Sequence, residues 1–318
     1  MKRLMLLALC ALASLGASAQ YYPADPGSVS YQGLWWSSPA GSQSGWGINI
    51  AHQGNVLFAT WFTYDQDGQG LWFVIPDAQL VTPVSVDTYM GDMMDMGMDM
   101  GMGGMYGMGG MEGAAMYTGT IYRTTGPAFD AATFDSTKVA AVPVGTATLS
   151  FFGSSEGQFD YTVNGNSGSL PITREDFSTP PACAMGGAAP ATPNFSDLWW
   201  NAPAGSESGW GMNLMQEGDV LFATWFTYDS TGRAAWFVVP DATRAAGTQS
   251  WSGAIYHTTG PAYDAKWSNA DVQVTPVGAA SFVFSGASSG TFTANVDGHM
   301  ITKAITRQVY ANPASVCR

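Results

Sequence analysis

Methionine is concentrated in one stretch of this chain, and its thioether sulfur is a ligand for soft metal ions. Eleven of the seventeen methionines lie between residues 90 and 116. They are Met90, Met93, Met94, Met96, Met98, Met100, Met102, Met105, Met108, Met111 and Met116. Thioether sulfur prefers Cu(I) to hard cations, and the interleaved glycines give the backbone freedom to bring several sulfurs to one ion. The spacing predicts a Cu(I) or Ag(I) site, with the metal as the only cofactor.

The methionine tract also carries negative charge, which attracts a cation. Its acidic residues are Asp92, Asp95, Asp99 and Glu112. Two alternatives remain open for the tract. It is also the kind of low-complexity sequence that a loop tolerates as an inert insertion. Because exposed methionine oxidises to the sulfoxide, the tract is also suited to consuming oxidants.

Tryptophan supplies the second candidate chemistry, since the chain contains twelve of these residues. Two adjacent pairs, Trp35-Trp36 and Trp199-Trp200, are predicted to lie on strands. Neighbouring residues on a strand point to opposite faces, so one ring of each pair is expected to face outward. An exposed indole stacks on a sugar or an apolar ligand. These four residues predict a glycan or small-ligand surface, whereas core packing better explains Trp46, Trp61, Trp72 and their copies.

Catalytic constellations are not evident in the sequence. The chain has three histidines, and none lies near another along the sequence. The chain contains an internal repeat, and the position that matches each histidine in the other copy holds another residue type, which argues against a shared triad or zinc site. Asp130 and Asp264 occupy matched positions, and so do Asp77 and Asp241, but both pairs lie in turn contexts. We therefore predict a binding or structural protein and not an enzyme.

An internal repeat organises the chain. Residues Val56–Asp65 read VLFATWFTYD and recur unchanged as Val220–Asp229, at an offset of 220 − 56 = 164. Further on, Thr124–Ala128 recurs as Thr258–Ala262, at an offset of 258 − 124 = 134. The first copy therefore holds about 164 − 134 = 30 additional residues, and the methionine tract fills most of this insertion.

Each copy shows the alternation of apolar and polar residues that is typical of β-strands, interrupted by turn residues. We predict an all-β protein of two tandem antiparallel meander repeats, each a small up-and-down barrel, with a β-sandwich as the alternative. The predicted segments are a signal peptide at 1–19, an N-terminal linker at 20–32, the first repeat at 33–177 with its insertion at about 87–116, a Pro/Ala-rich linker at 178–196, and the second repeat at 197–318.

The first nineteen residues predict export. Lys2 and Arg3 precede an apolar run that is too short to span a bilayer, and Ala17-Ser18-Ala19 resembles a cleavage site. We expect a periplasmic or secreted protein with no membrane helix, and we consider an outer-membrane barrel less well supported. The formal net charge of −13 argues against nucleic acid as a partner, because phosphate backbones bind basic surfaces. The expected partner is a metal ion or a small ligand.

Cys183 and Cys317 are the two cysteines beyond the predicted signal peptide. An even number of cysteines in an exported protein favours a disulfide, which here would close a loop of 317 − 183 = 134 residues. Such a bond would hold the two repeats side by side. Free thiols and pairing between molecules are the alternatives.

The Trp-Trp, SGWG and FATWFTYD blocks resemble a group of exported tandem-repeat proteins of Gram-negative bacteria that has no assigned activity. The resemblance implies export and repeat architecture, and it transfers no functional residues. The methionine tract is similar to Met-rich segments of bacterial periplasmic copper-resistance proteins. It differs from many of them in having no histidine, which disfavours a Cu(II) site.

Overall fold

The computed structural model describes residues 29–81 and 115–318, and in this part of the chain the regular structure is almost entirely strand. The first barrel contains β1 Gly33–Ser37, β2 Gly47–Gln53, β3 Val56–Tyr64, β4 Gly70–Val81, β5 Ala115–Thr125, β6 Ala140–Phe151, β7 Glu156–Val163 and β8 Asn166–Arg174. The second contains β10 Asp197–Asn201, β11 Gly211–Glu217, β12 Val220–Tyr228, β13 Ala234–Arg244, β14 Ser250–Thr259, β15 Gln273–Gly286, β16 Ser289–Val296 and β17 His299–Arg307. The two remaining strands are β9 Cys183–Met185 and β18 Ser315–Cys317.

Both repeats are closed antiparallel meanders of eight strands. Closure is direct, since β1 pairs with β8 as well as with β2, and β10 pairs with β17 as well as with β11. The predicted up-and-down barrels are therefore confirmed, and the alternative of a β-sandwich is wrong. An unpaired edge strand rich in aromatic residues would promote aggregation, and closing the sheet leaves no such edge in the barrel.

The block that is identical in the two copies packs on both of its faces. Along β3, Trp61 points into the first barrel and contacts Phe159, whereas Phe62 points outward and packs against Trp236 of the second barrel. A strand buried on both faces needs large apolar residues at consecutive positions, which accounts for the sequence Phe-Ala-Thr-Trp-Phe. In contrast, β7 shows strict alternation of buried and accessible residues, because only one of its faces packs.

The two barrels lie side by side and exchange equivalent contacts. The indole N–H of Trp72 donates to the carbonyl of Thr227 at 2.8 Å, and that of Trp236 donates to the carbonyl of Thr63 at 3.1 Å. The loops are exchanged in the same way. The β5–β6 loop of the first barrel lies on the second, and the β14–β15 loop of the second lies on the first, as the hydrogen bond from Tyr263 N to Tyr64 O shows.

Short segments that precede β1 and β10 close one end of each barrel, which we call the closed end. Tyr31 stacks on Phe151 with ring centroids 4.0 Å apart, and Phe195 stacks on Phe284 at 3.7 Å. Residues 30–32 are buried, although the sequence assigns them to a linker. The buried His52 lies next to Tyr31. Its Nδ1 accepts from the backbone N–H of Tyr31 at 3.2 Å, and its Nε2 contacts the Tyr117 hydroxyl.

The predicted disulfide between Cys183 and Cys317 is present. It joins β9 to β18, which pair as a two-stranded antiparallel sheet. This bond connects the segment after the first barrel to the segment after the second. Within the described ranges, no helix is long and apolar enough to cross a membrane.

Candidate ligand-binding site

Most of the predicted metal ligands lie outside the described residues, as does the predicted signal peptide. Met116 is the described exception. It lies in β5, is half-buried and pairs with Val81 of β4. This pair lies at the closed end of the first barrel, where the chain leaves β4 and enters β5 around the insertion. Among residues 29–81 and 115–318, no group of three or more His, Cys, Asp or Glu side chains is placed to hold a metal ion.

The four tryptophans predicted to bind a ligand divide into two kinds. Trp35 and Trp199 are core residues, with 1% and 0% of their surface exposed, and their indole N–H groups donate to the carbonyls of Tyr31 and Phe195. These two rings pack on Phe151 and Phe284 towards the closed ends of the barrels, away from the mouths. Trp36 and Trp200 are half-buried, and Trp200 lines an apolar cavity between the barrels of about 70 Å³, which is too small for a sugar.

A larger cavity of about 390 Å³ lies at the first mouth, by which we mean the end of the first barrel near Tyr64 and Asn166. Its volume falls in the range of sites for small organic ligands, and barrel mouths are common places for them. Five aromatic side chains line it. They are Trp46, Trp61, Tyr161, Tyr263 and Trp267.

These rings come from both repeats. Trp61 on β3 and Tyr161 on β7 form the inner wall, with ring centroids 4.6 Å apart. Tyr263 comes from the β14–β15 loop of the second repeat, and its ring lies 5.8 Å from that of Trp61. The Tyr161 hydroxyl donates to the Tyr263 carbonyl at 3.2 Å, which fixes the loop against the barrel. Gly168 lies under Tyr161, where a Cβ would come within 2.3 Å of the ring.

Polar groups occupy the outer edge of the first mouth. The carboxylate of Asp264 accepts from Gln66 Nε2 at 2.7 Å and from Asn166 Nδ2 at 2.9 Å. Gln43 Oε1 accepts from the indole N–H of Trp46 at 2.7 Å. Burial raises the pKa of Tyr161, and the charge of Asp264 raises it further, so the phenol stays protonated. None of the described residues that line this cavity is basic.

The equivalent second mouth, near Tyr228 and His299, contains an ammonium group of its own. Lys303 Nζ lies 2.6 Å from Glu207 Oε2 and 5.7 Å from the centroid of the Trp210 ring. The Trp210 indole N–H donates to the same Glu207 oxygen at 3.0 Å. Asp130 of the exchanged loop faces His299 at 3.4 Å.

Several substitutions between the copies distinguish the two mouths, and three of them involve residues that line the first cavity. The first mouth has Leu170, Gln43 and Tyr161 where the second has Lys303, Glu207 and Ala294. No family model, curated protein or solved structure matches the chain. The internal comparison of the two copies therefore carries the argument about the site. That comparison was available in the sequence, but it became informative only when the mouth was known to bring these positions together.

Proposed function

We propose that this chain is an exported binding protein that holds a small organic molecule in its first mouth and catalyses no reaction on it. The observation that supports the proposal is the cavity of about 390 Å³ lined by five aromatic rings. Tyr263 and Trp267 are half-buried, and Trp46, Trp61 and Tyr161 are fixed in the core with 6%, 2% and 9% of their surface exposed, so the rings are held in place before a ligand binds and little conformational entropy is lost. A molecule of the size of a monosaccharide fits a site of this volume.

The polar edge of the first mouth would orient the ligand. Asp264, Asn166 and Gln43 present amide and carboxylate groups on one side of the rings. Sites for small ligands combine an apolar lining with a few polar groups in this way. Because Asp264 and two of the rings belong to the second repeat, the site requires both copies, which gives the tandem arrangement a function.

A non-catalytic role agrees with the titratable groups near this cavity. Burial keeps the Tyr161 hydroxyl protonated, and the Asp264 carboxylate is hydrogen-bonded to two amides instead of to a nucleophile. General acid–base catalysis needs a group whose pKa lies near the working pH and which reaches a nucleophile or substrate proton. Among the described residues that line the first mouth, none is a histidine, lysine or cysteine.

Isothermal titration calorimetry with a panel of methyl glycosides, polyols and alkylamines tests the proposal. We expect at least one probe to bind with a Kd between micromolar and millimolar. Tyr161→Ala should weaken that probe at least about tenfold, because it removes one ring of the wall. The second barrel already has Ala294 at the matched position, so the variant is expected to fold.

The matched control is Ala294→Tyr, which changes the second mouth and should leave binding unaltered. Circular dichroism establishes that both variants fold. The proposal fails if no probe binds the wild-type chain, or if Tyr161→Ala and Ala294→Tyr have equal effects on the probe that binds.

Binding of Cu(I) or Ag(I) by the methionine tract is a second candidate, supported by the density of thioether groups between residues 90 and 116. The structure suggests a clean variant for testing it. In the second copy, β13 and β14 are joined by residues 245–249, so replacing residues 82–114 with the Ala246-Gly247-Thr248 turn keeps every strand of the first barrel. A Cu(I) titration against a chromogenic chelator, under anaerobic reducing conditions, then compares the two proteins.

Thioether binding needs no deprotonation, so the site should keep its affinity in acid. We expect tight binding by the wild-type chain that is retained at pH 5 and lost in the turn variant. Equal binding by the two proteins would exclude the tract as the metal site. The turn variant should retain ligand binding at the first mouth, because β4 ends and β5 begins at the opposite end of the barrel.

A further inference from the structure

The chemical class of the ligand can be inferred by comparing the two mouths. We propose that the first mouth binds a small organic cation, an alkylammonium or quaternary ammonium ion, a proposal that rests on the proposed function of this site. The ligand would place its charge in the cavity against the accessible parts of the aromatic rings that line it, on the side of the Asp264 carboxylate.

The first mouth has the composition of a site for an ammonium group. The faces of tryptophan and tyrosine rings carry negative potential and attract a cation within about 6 Å of the ring centre. Five such rings and one carboxylate line this cavity, and none of the described lining residues is basic. A neutral apolar ligand would gain nothing from the carboxylate, whereas a cation interacts favourably with both kinds of group.

The second mouth shows how this geometry accommodates an ammonium group. The Lys303 side chain brings its Nζ to 5.7 Å from the Trp210 ring centroid and to 2.6 Å from Glu207. Trp46 is the counterpart of Trp210 in the first copy, and it keeps the same hydrogen bond from its indole to residue 43. The ring that faces the Lys303 ammonium is therefore retained in the first mouth.

The first mouth lacks the internal cation and its counterion together. Leu170 replaces Lys303 and Gln43 replaces Glu207, so the lining of the first mouth has neither this cation nor this anion. The loop carboxylate is kept, as Asp264 in place of Asp130. Asp264 is held by two amide groups and forms no ion pair among the described residues. Its charge is thus available to a cation that enters from solution.

The net charge of the chain favours the same class of ligand. At −13 the protein concentrates cations near its surface and repels anions. The Asp264 carboxylate would in addition repel a phosphorylated or carboxylated ligand, and no described lining residue is basic and could bind such a ligand. Neutral sugars remain the competing class, and the experiment below separates them from cations.

Calorimetry on the full chain with matched probes tests the inference. Choline and 3,3-dimethyl-1-butanol have nearly the same shape and differ in the quaternary nitrogen, and methyl glucoside represents neutral sugars. We expect choline to bind about 10- to 30-fold more tightly than the alcohol, as desolvated contacts between a cation and aromatic rings allow. Asp264→Asn should reduce this preference at least about fivefold, while Asp130→Asn, the matched change at the second mouth, should leave it unchanged.

The outcomes separate the two proposals. If methyl glucoside or the alcohol binds as tightly as choline, and Tyr161→Ala weakens that binding, the inference of a cation is wrong and the binding function stands. If choline is preferred but Asp264→Asn and Asp130→Asn act alike, the cation does not sit beside Asp264 and the inference is again wrong. If none of the three probes or the earlier panel binds, both proposals fail.

Discussion

The two barrels share one topology, and they differ in the charged and aromatic residues at their mouths. In the second mouth, Lys303 and Glu207 form an ion pair against Trp210. In the first, Leu170 and Gln43 occupy those positions and a cavity of about 390 Å³ is present. The fold therefore does not require the ion pair, since the first barrel closes without it. The second mouth holds an ammonium group among its own side chains, whereas the described residues that line the first mouth include no basic residue.

The largest effect is expected from introducing the ion pair of the second mouth into the first. The double variant Gln43→Glu/Leu170→Lys places an ammonium group and its counterion inside the cavity. This internal cation competes with an external one at very high effective concentration, so binding should fall at least about 100-fold. Calorimetry with the probe that binds the wild-type chain measures the loss.

The reverse double variant, Glu207→Gln/Lys303→Leu, is the control for that experiment, and it should leave the affinity of the first mouth unchanged. Binding of a second equivalent of probe by this control would show that Lys303 and Glu207 keep the second mouth closed. Unaltered binding by Gln43→Glu/Leu170→Lys would contradict the comparison between the mouths.

The closed ends provide the next contrast. Burial lowers the pKa of His52 to about 4, whereas the second copy has Gln216 at the matched position. The ordinary pKa of histidine is about 6.5, so above that pH the ring is neutral in the folded and in the unfolded chain and the full stability is present. As the pH falls from 6.5 towards 4, the unfolded chain binds a proton that the folded protein does not, and the free energy of unfolding decreases. Between pH 7 and pH 4.5, His52→Gln should therefore reduce the loss in the free energy of unfolding by about 2 kcal/mol.

The measurement is urea unfolding at pH 7 and pH 4.5 for the wild-type chain and for His52→Gln. Gln216 Oε1 accepts from the Phe195 N–H at 3.0 Å, as His52 accepts from that of Tyr31, so glutamine is expected to replace the histidine without losing this hydrogen bond. A pH dependence unchanged by His52→Gln would show that the ring does not stay neutral in the folded protein.

Much of the fold follows from the sequence. The repeated VLFATWFTYD block and the period-two alternation define the strands and the number of domains. Closure into a barrel does not follow from the pattern, because a sandwich needs the same alternation. The exchange of the two loops is also hidden, since it places Tyr263 in contact with Tyr161, which is 102 residues away along the chain.

The site was harder to predict than the fold for a physical reason. Adjacent tryptophans such as Trp35 and Trp36 stand out in a sequence, but a small barrel uses its largest rings as core, and Trp35 is 1% exposed. Some of the residues that line the cavity are instead positions where the copies differ, such as Leu170 against Lys303. Such differences gain meaning only from the spatial superposition that the repeat provides.

A double-mutant cycle at the second mouth measures the ion pair itself. Lys303→Leu alone leaves Glu207 partly buried without its cation and should destabilise the protein by about 1.5 kcal/mol, between the values for exposed and buried pairs. The double variant with Glu207→Gln should recover most of that loss. Chemical denaturation gives the four free energies of unfolding. A cycle with no coupling would mean that the pair contributes nothing to closing the second mouth.

The smallest expected effect concerns the matched residues Gln53 and Glu217. Each accepts hydrogen bonds from the segment that follows the other barrel along the chain. Gln53 Oε1 accepts from the N–H groups of Tyr310 and Ala311, and Glu217 Oε2 accepts from those of Phe177 and Ser178. Burial raises the pKa of Glu217 above its ordinary value. An acid whose pKa is raised in the folded protein contributes to the free energy of unfolding at low pH, and this contribution is lost as the pH rises. At pH 8 the folded protein therefore holds Glu217 in its less favourable, charged form.

Glu217→Gln should therefore stabilise the protein by about 1 kcal/mol at pH 8 and by less at pH 4, since the amide oxygen accepts both hydrogen bonds without a buried charge. Thermal unfolding at the two pH values measures the difference. The matched Gln53→Glu should act in the opposite direction, because it introduces a carboxylate into the equivalent buried position. If Glu217→Gln destabilises the protein at pH 8, the carboxylate is held by its charge, and Arg174, whose charge favours the ionised form, becomes the partner to remove next.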